Sequence, residues 1–288
     1  MDAPYGQLIE QEPGIARLLA PNPSAYTFTG TQVHFIGTQE LAVIDPGPDL
    51  PEHIEALLAA IAGRPLAAIL VTHTHRDHSP AARTLREMTG APIIGCAPLV
   101  LDHLGPQVEA SFDRDYAPDR IFADGESIDI DDRRITALHT PGHTSNHLCF
   151  ADETSGALFS GDHVMGWSTS VVIPPDGNMG DYVRSLEELR ARKDRIYYPA
   201  HGDPVSDPKR LVRGMITHRL QRERQILRRL EQGDRTVAEI VASAYPGLDP
   251  RLIPAAGASV LAHLLDLQQR GLVLQDEEDA WTATKDGA

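Results

Sequence analysis

Cysteine is nearly missing from this 288-residue chain: Cys96 and Cys149 are the only two, each inside an apolar, strand-like segment. Neither a disulfide framework nor a thiolate zinc site can be built from two such residues, which read as buried thiols in a reducing compartment. Lysine is almost as scarce, with 3 of the 26 basic residues against 23 arginines. No run of about 18 apolar residues occurs, so no membrane span is expected. The opening MDAPYGQLIEQEPG has neither the basic start nor the apolar stretch of a secretory signal, and the expected location is the cytoplasm. There is no GxSxG elbow, and neither cysteine lies in a motif with a neighbouring base, so the chemistry does not call for a protein nucleophile.

The material present is ample for a packed core, at 41% hydrophobic residues. The length exceeds what one core usually supports, so one large domain and one small domain are expected, at 1–207 and 208–288. Charge divides the same way. The formal net charge is −15, and residues 1–207 carry 14 basic and 30 acidic side chains, a net of −16, whereas 208–288 carry 12 and 11, a net of +1. The acidic part should repel polyanions over much of its surface.

The densest chemistry is THTHRDH, residues 72–78. The preceding AAILV (67–71) is a short apolar run that reads as a buried strand. Residues two apart in an extended chain share a face, so His73 and His75 converge at the strand's end. Next, SPAARTLREMTG (79–90) has helical character and opens with Ser79 and Pro80, both favoured at a helix start. The intervening turn can aim Asp77 and His78 at a second point, so one segment can serve two adjacent divalent metals. His143 in HTPGHTSNH, Asp162 in LFSGDHV and His201 in IYYPAHGDP each follow an apolar strand-like run and a Gly or Pro turn, where sheet proteins display ligands.

The order HxHxDH, GHT, SGD, AHG resembles the metallo-β-lactamase-fold superfamily, over about Ala20 to His201. The resemblance implies His73, His75 and His143 on one zinc, Asp77, His78 and His201 on the other, and Asp162 bridging the two. It also implies an α/β fold, the αβ/βα sandwich, which the alternation of strand and helix patterns along residues 15–199 suits. The IDPG turn (44–47) is similar to the superfamily's early acidic turn, whose Asp45 would hold a ligand imidazole from behind. Imidazole and carboxylate without thiolate suit Zn²⁺, and related di-iron proteins of this fold carry Glu where this chain has His75, so two Zn²⁺ per chain are expected.

Strands are expected at 15–19, 25–36 and 40–44 and a helix at 51–62; beyond the ligand loop, strands alternate up to a helix at 181–193 and a strand at 195–199. After Pro208 the pattern changes. Residues 209–233 form one long helical pattern ended by Gly233; Thr236 and Glu239 have the capping-box spacing; a further helix at about 254–270 ends at Gly271; and LVLQDEEDAWTATK alternates like a hairpin. Three helices and a hairpin resemble a small winged-helix domain, known in the lactamase-β-2-like branch of this superfamily. Its candidate recognition helix carries only His263 and Arg270 as cationic groups against Asp266, so DNA is not an expected partner.

These readings predict a hydrolase in which a hydroxide shared by two zincs attacks the substrate, with Asp77 and Asp162 fixing its position. A small acyl compound, a thioester, lactone or ester, suits the acidic surface. After Asp162 the chain reads HVMGWSTS, unlike the glutathione site of glyoxalase II, and true β-lactam hydrolases replace the bridging Asp and are exported. An endoribonuclease acting on single-stranded RNA is the alternative, supported by Arg213, Arg219, Arg222, Arg224, Arg228 and Arg229 against Glu223 within 213–229. A second alternative is a mononuclear iron sulfur dioxygenase. His163, Trp167, Ser168 and Tyr182, in or beside WSTSVVIPPDGNMGDY (167–182), are the candidate substrate contacts. The oligomeric state is left open, a homo-oligomer included.

Overall fold

The computed structural model describes residues 3–99 and 111–284, and Lys285 of the expected hairpin lies outside them. The chain divides into two compact units: residues 1–140, 146–170 and 193–208 form the first, and 141–145, 171–192 and 209–288 the second.

In the first unit hydrophobic runs become strands buried on both faces, over Gln32–Ile36, Leu41–Ile44, Ile93–Gly95, Leu148–Asp152 and Ala157–Gly161, with less buried strands at the sheet edges. Seven lie in chain order in one sheet: β1 (Leu8–Glu12), β2 (Ile15–Leu19), β3 (Gln32–Ile36), β4 (Leu41–Ile44), β5 (Leu66–Val71), β6 (Ile93–Gly95) and β7 (Arg120–Ile121). Neighbours from β1 to β4 pair antiparallel, and those from β4 to β7 pair parallel. Parallel pairing requires crossovers, and α1 (Pro51–Ile61) supplies one between β4 and β5, α2 (Ala81–Thr89) the next. A second sheet has the order β12-β11-β10-β9-β8, from β8 (Ser127–Ile130), β9 (Arg133–His139), β10 (Leu148–Asp152), β11 (Ala157–Gly161) and β12 (Ile196–Pro199). One apolar core joins the sheets, with Val33, Phe35 and Leu70 from the first, Ile135, Phe150 and Phe159 from the second, and Leu57 and Leu85 from the helices. The sheets are also laced together, Gln32 N donating to the Ala200 carbonyl and Leu148 N to that of Thr72, both at 2.8 Å.

The expected strand over 25–36 shortens to Gln32–Ile36. Side chains claim the backbone upstream: Ser24 Oγ accepts from the amides of Tyr26 and Thr27, and Asn22 Oδ1 accepts from that of Thr31. Such local bonds compete with a sheet ladder, and residues 22–31 become a closed loop.

The second unit contains α3 (Met179–Ala191), capped by the Asn178 side chain on the Asp181 amide. It continues with α4 (Pro208–Glu231), α5 (Val237–Ala244), α6 (Ile253–Gln269) and the hairpin β13 (Val273–Gln275) and β14 (Trp281–Ala283). The capping box forms as expected, Thr236 accepting from the Glu239 amide and the Glu239 side chain from that of Thr236. Ile226, Leu230, Ile240, Leu264, Leu267, Val273 and Trp281 make the core of this winged-helix domain. No helix among the described residues is long and apolar enough to cross a membrane.

Candidate metal centre

Four strand ends build the centre within the first unit. Asp45 follows β4, THTHRDH follows β5, Asp162 follows β11 and His201 lies just past β12. The strands of each pair run parallel, so their carboxyl ends open on the same side, where sheet proteins place ligands.

Asp45 organises the first loop. Its backbone has φ 48°, a left-handed conformation that Asp tolerates better than most residues. Its carboxylate accepts from Thr72 N at 2.8 Å, Thr72 Oγ1 at 2.7 Å and His78 Nδ1 at 3.0 Å. Thr72 Oγ1, having donated to Asp45, can accept from His73 Nδ1 at 2.9 Å. His201 Nδ1 is likewise tied to the Gly30 carbonyl at 3.2 Å. With Nδ1 bound back to the protein, Nε2 of these rings carries the lone pair toward the centre.

Two groups of donors result. The ligand atoms of Asp77, His78 and His201 all lie within 4.8 Å of one another, and so do those of His73, His75 and Asp162. In the first, His78 Nε2 and His201 Nε2 stand 3.2 and 3.1 Å from Asp77 Oδ2. In the second, His73 Nε2 and His75 Nδ1 are 2.9 Å apart, and the His75 ring stacks on Phe112. Asp162 joins the groups: its Oδ1 is 3.2 Å from His201 Nε2 and 3.6 Å from His78 Nε2. His143 belongs to the second unit, where its Nδ1 is 2.6 Å from the Val171 carbonyl oxygen.

Electrostatics fit the same picture. Burial raises the Asp77 and Asp162 carboxyl pKa values, but His78 and His201 outweigh it and hold both well below the ordinary range. Burial lowers His78 and His201, yet Asp77 and Asp162 raise His78 well above an ordinary imidazole and His201 to about 10. Protons here neutralise a buried anionic nest, the task a divalent cation performs when it displaces them. The donors are nitrogen and oxygen without sulfur, as zinc accepts.

Of the candidate substrate contacts, Trp167 is 40% exposed and Ser168 half-buried, whereas His163 and Tyr182 are fully buried. The Tyr182 ring lies under the Arg219 guanidinium, 5.2 Å away. Sequence reasoning passed over His147, although it stands in HTPGHTSNH. Its Nε2 accepts from the Asp162 amide at 3.2 Å and its Nδ1 is 2.9 Å from Thr140 Oγ1, which fixes the turn carrying Asp162. Thr31 was also missed; its Oγ1 donates to Asp77 at 3.3 Å.

The arginine-rich helix is less basic at its surface than its composition suggests. Arg219 is buried, Arg222 stacks over Tyr245 at 4.0 Å, and Arg229 pairs with Asp234 at 2.8 Å. Three of the six, Arg213, Arg224 and Arg228, are exposed to solvent.

Residues 26–201 match the family model of the metallo-beta-lactamase superfamily, and residues 236–281 that of the beta-lactamase associated winged helix domain. The chain is 29% identical over 230 residues to the atrochrysone carboxyl ACP thioesterase dmxR1 of Cryptosporiopsis sp. (strain 8999), covering 78% of this chain and 66% of that protein. It is 32% identical over 247 residues to an atrochrysone carboxyl ACP thioesterase of Aspergillus chevalieri, covering 81% and 73%. The chain thus spans about two thirds to three quarters of these relatives' length. Among solved structures, a beta-lactamase domain protein from Burkholderia ambifaria superposes with a TM-score of 0.82 at 20% identity, covering 99% of this chain and 95% of that one. A metallo-beta-lactamase family protein from Thermus thermophilus gives 0.78 at 22% identity, covering 96% and 100%. At these identities the likeness shows the fold alone.

Proposed function

The chain belongs to the metallo-β-lactamase superfamily and is a hydrolase, and from that premise we propose that it is a dinuclear zinc enzyme cleaving acyl thioesters. The observation that carries the reading is Asp162, grouped with His73 and His75 yet 3.2 Å from His201 Nε2, as a carboxylate shared by two metals must be. His73, His75 and, by the family pattern, His143 would hold one zinc; Asp77, His78 and His201 would hold the other. A bound pair of this kind supplies a water of lowered pKa and polarises the acyl oxygen.

The chain's own residues do the rest. Asp77 and Asp162, both held ionised, would orient the attacking water. Asp45 keeps His78 in the ligating tautomer, and His147 holds the Asp162 turn. Nδ1 of His73, His78 and His201 is engaged with protein oxygen, which places none of them as a general acid for the leaving group. A thioester needs no such acid, because a thiol of pKa about 8.5 departs readily as the anion, whereas the alkoxide of an ester does not. The thioesterase names of the relatives support the same choice among acyl substrates. We assign residues 1–207 to catalysis and 208–288 to a winged-helix module, in a cytoplasmic protein acting on a small molecule.

The test is a substrate screen of zinc-loaded protein against thioesters, lactones, phosphodiesters and short RNAs. The expected result is thiol release from thioesters, lost in Asp162→Asn. Cleavage of RNA or phosphodiesters alone would replace this reading with the ribonuclease one, and a single iron with sulfur-oxidising activity would replace both.

A further inference from the structure

The closed loop over 22–31 carries an aromatic side chain out to solvent beside the metal centre. Phe28 is 48% exposed and stacks on Trp167, with ring centroids 4.9 Å apart and planes inclined by 14°. Tyr26, two residues away, is 58% exposed. Large aromatic side chains dominate burial energetics where they are covered, so two rings stacked on each other and still open to water form an incomplete contact.

The backbone is committed to presenting them. Phe28 has φ 56°, in the left-handed region that an aromatic L-residue enters only at a steric cost and that recurs at ligand clamps. A bridge between Ser24 and Phe28, and the bond from Thr27 Oγ1 to the Asn22 carbonyl at 2.6 Å, hold the loop in that state. Its far end is anchored in the centre: the Gly30 carbonyl accepts from His201 Nδ1, and Thr31 Oγ1 donates to Asp77. Trp167 is anchored from the other side. Gly166 N donates to the His201 carbonyl at 2.9 Å, and at Gly202, with φ +90°, a Cβ would stand 2.8 Å from Trp167 N. Both rings are thus fixed through short backbone links to the residue pair His201 and Asp77.

We propose that Phe28 and Trp167 form a stacking ledge for a planar, conjugated acyl group, which makes the enzyme selective for aromatic acyl thioesters over saturated ones of similar size. This rests on the thioesterase reading above. A flat π-system completes the offset stack that the two rings begin, whereas a flexible alkyl chain gains only apolar contact and loses rotamer freedom.

The test compares two thioesters of one thiol, N-acetylcysteamine, bearing 2-naphthoyl or decanoyl groups, with zinc-loaded wild type, Phe28→Ala, Trp167→Leu and Trp167→Phe. The readout is the change in the ratio of kcat/KM between the two substrates, which cancels their different intrinsic reactivity. We expect kcat/KM for the naphthoyl ester to fall about two- to tenfold in Phe28→Ala and Trp167→Leu, the ratio a stacked aromatic pair supplies, mainly through KM and with metal content unchanged. The decanoyl ester, which makes only apolar contact there, should lose less than the naphthoyl ester, and Trp167→Phe should restore most of the naphthoyl loss. Equal losses for both esters, or none for either, would overturn the ledge. Quenching of Trp167 fluorescence by a non-hydrolysable naphthyl thioether, measured with a decyl thioether as control, keeps the two readings apart. Quenching without hydrolysis of any thioester would sink the thioesterase reading and leave an aromatic-binding ledge; hydrolysis without selective quenching or naphthoyl preference would sink the ledge alone.

Discussion

Replacing Asp45 with Asn removes one charge and one acceptor at a position that is not itself in either donor group but holds the ligand imidazole of His78 from behind. Asn tolerates the left-handed backbone that Asp45 adopts, so the turn should survive. Its carbonyl oxygen can still accept from Thr72 N, where Oδ1 now sits 2.8 Å away. The amide nitrogen then occupies the place of Oδ2, facing Thr72 Oγ1 at 2.7 Å and His78 Nδ1 at 3.0 Å. Two donors cannot share that contact. Either His78 swings away, or its proton moves to Nε2 and points at Asp77 and Asp162, where a lone pair is needed. Flipping the amide places the nitrogen against the Thr72 N–H instead, which is no better. The loss is one charge-assisted hydrogen bond to a ligand imidazole, about 1.5–3 kcal/mol, or about 10–100-fold in affinity for the metal at Asp77, His78 and His201. Chelator competition should find the equivalent held by Asp77, His78 and His201 weakened by that factor and the other within about threefold, less than the loss of one such bond. Unchanged affinity for both equivalents, with an unchanged circular dichroism spectrum, would refute the tautomer argument.

Elemental analysis of metal-replete protein should give close to two zinc ions per chain, and a single equivalent with full activity would remove the dinuclear mechanism. Asp162→Asn should retain the fold while turnover falls by orders of magnitude, and near-normal turnover would remove Asp162 as the shared ligand. In the second unit His263 is 1% exposed and neither ring nitrogen has a hydrogen-bond partner among the described residues; burial, with the nearby Arg219, Arg222, His218 and Arg270, lowers its pKa from 6.5 to about 3. Its folded pKa lies below the unfolded one, so its stability contribution is intact above pH 6.5 and is lost as pH falls toward 3. The slope is about 1.4 kcal/mol per pH unit. His263→Leu should flatten the acid limb of denaturant melts between pH 6.5 and 5 by roughly 2 kcal/mol, and parallel curves for both proteins would contradict this. Finally, Gln at Arg213, Arg224 and Arg228 should leave thioester kcat/KM within about twofold, since these side chains are distributed along a solvated helix face. If RNA were the substrate, the salt dependence of binding would instead fall by roughly 0.7 per lost contact to a single strand.

The ligand loop could be read from sequence because its signals are local. An apolar run of strand length, a two-residue histidine spacing and a Ser-Pro helix start each act within a few residues, and β5, the 72–78 turn and α2 follow them. Loop 22–31 misled the same reasoning. Tyr26, Phe28 and the threonines have high β-propensity, but propensity says nothing of Asn22 and Ser24 taking the amides that a ladder would need. The first strand was missed for the opposite reason: LIEQE is polar and only partly buried, and it is a strand because β2 offers an edge to pair with. His147 sits in a quoted motif yet was not singled out, since its partner, the Asp162 amide, comes from a different strand end.

The arginines of α4 show most clearly where composition stops carrying information. A count over 213–229 gives six cations against one Glu, and nothing local separates them. The fold does. Arg219 is sunk under its neighbours, with its guanidinium over Tyr182; Arg222 lies on Tyr245; and Arg229 closes on Asp234 just past the helix end. A guanidinium stacked on a ring or paired with a carboxylate is committed to intramolecular contacts, and recruiting it to a phosphate would first cost those contacts. The charge available to an RNA backbone is therefore about half of what the sequence counts, in a chain whose net charge of −15 opposes such a ligand from the start. A neutral acyl group meets no such opposition, so charge, and not the aromatic pair on which a nucleobase could equally stack, is what separates the two substrate classes.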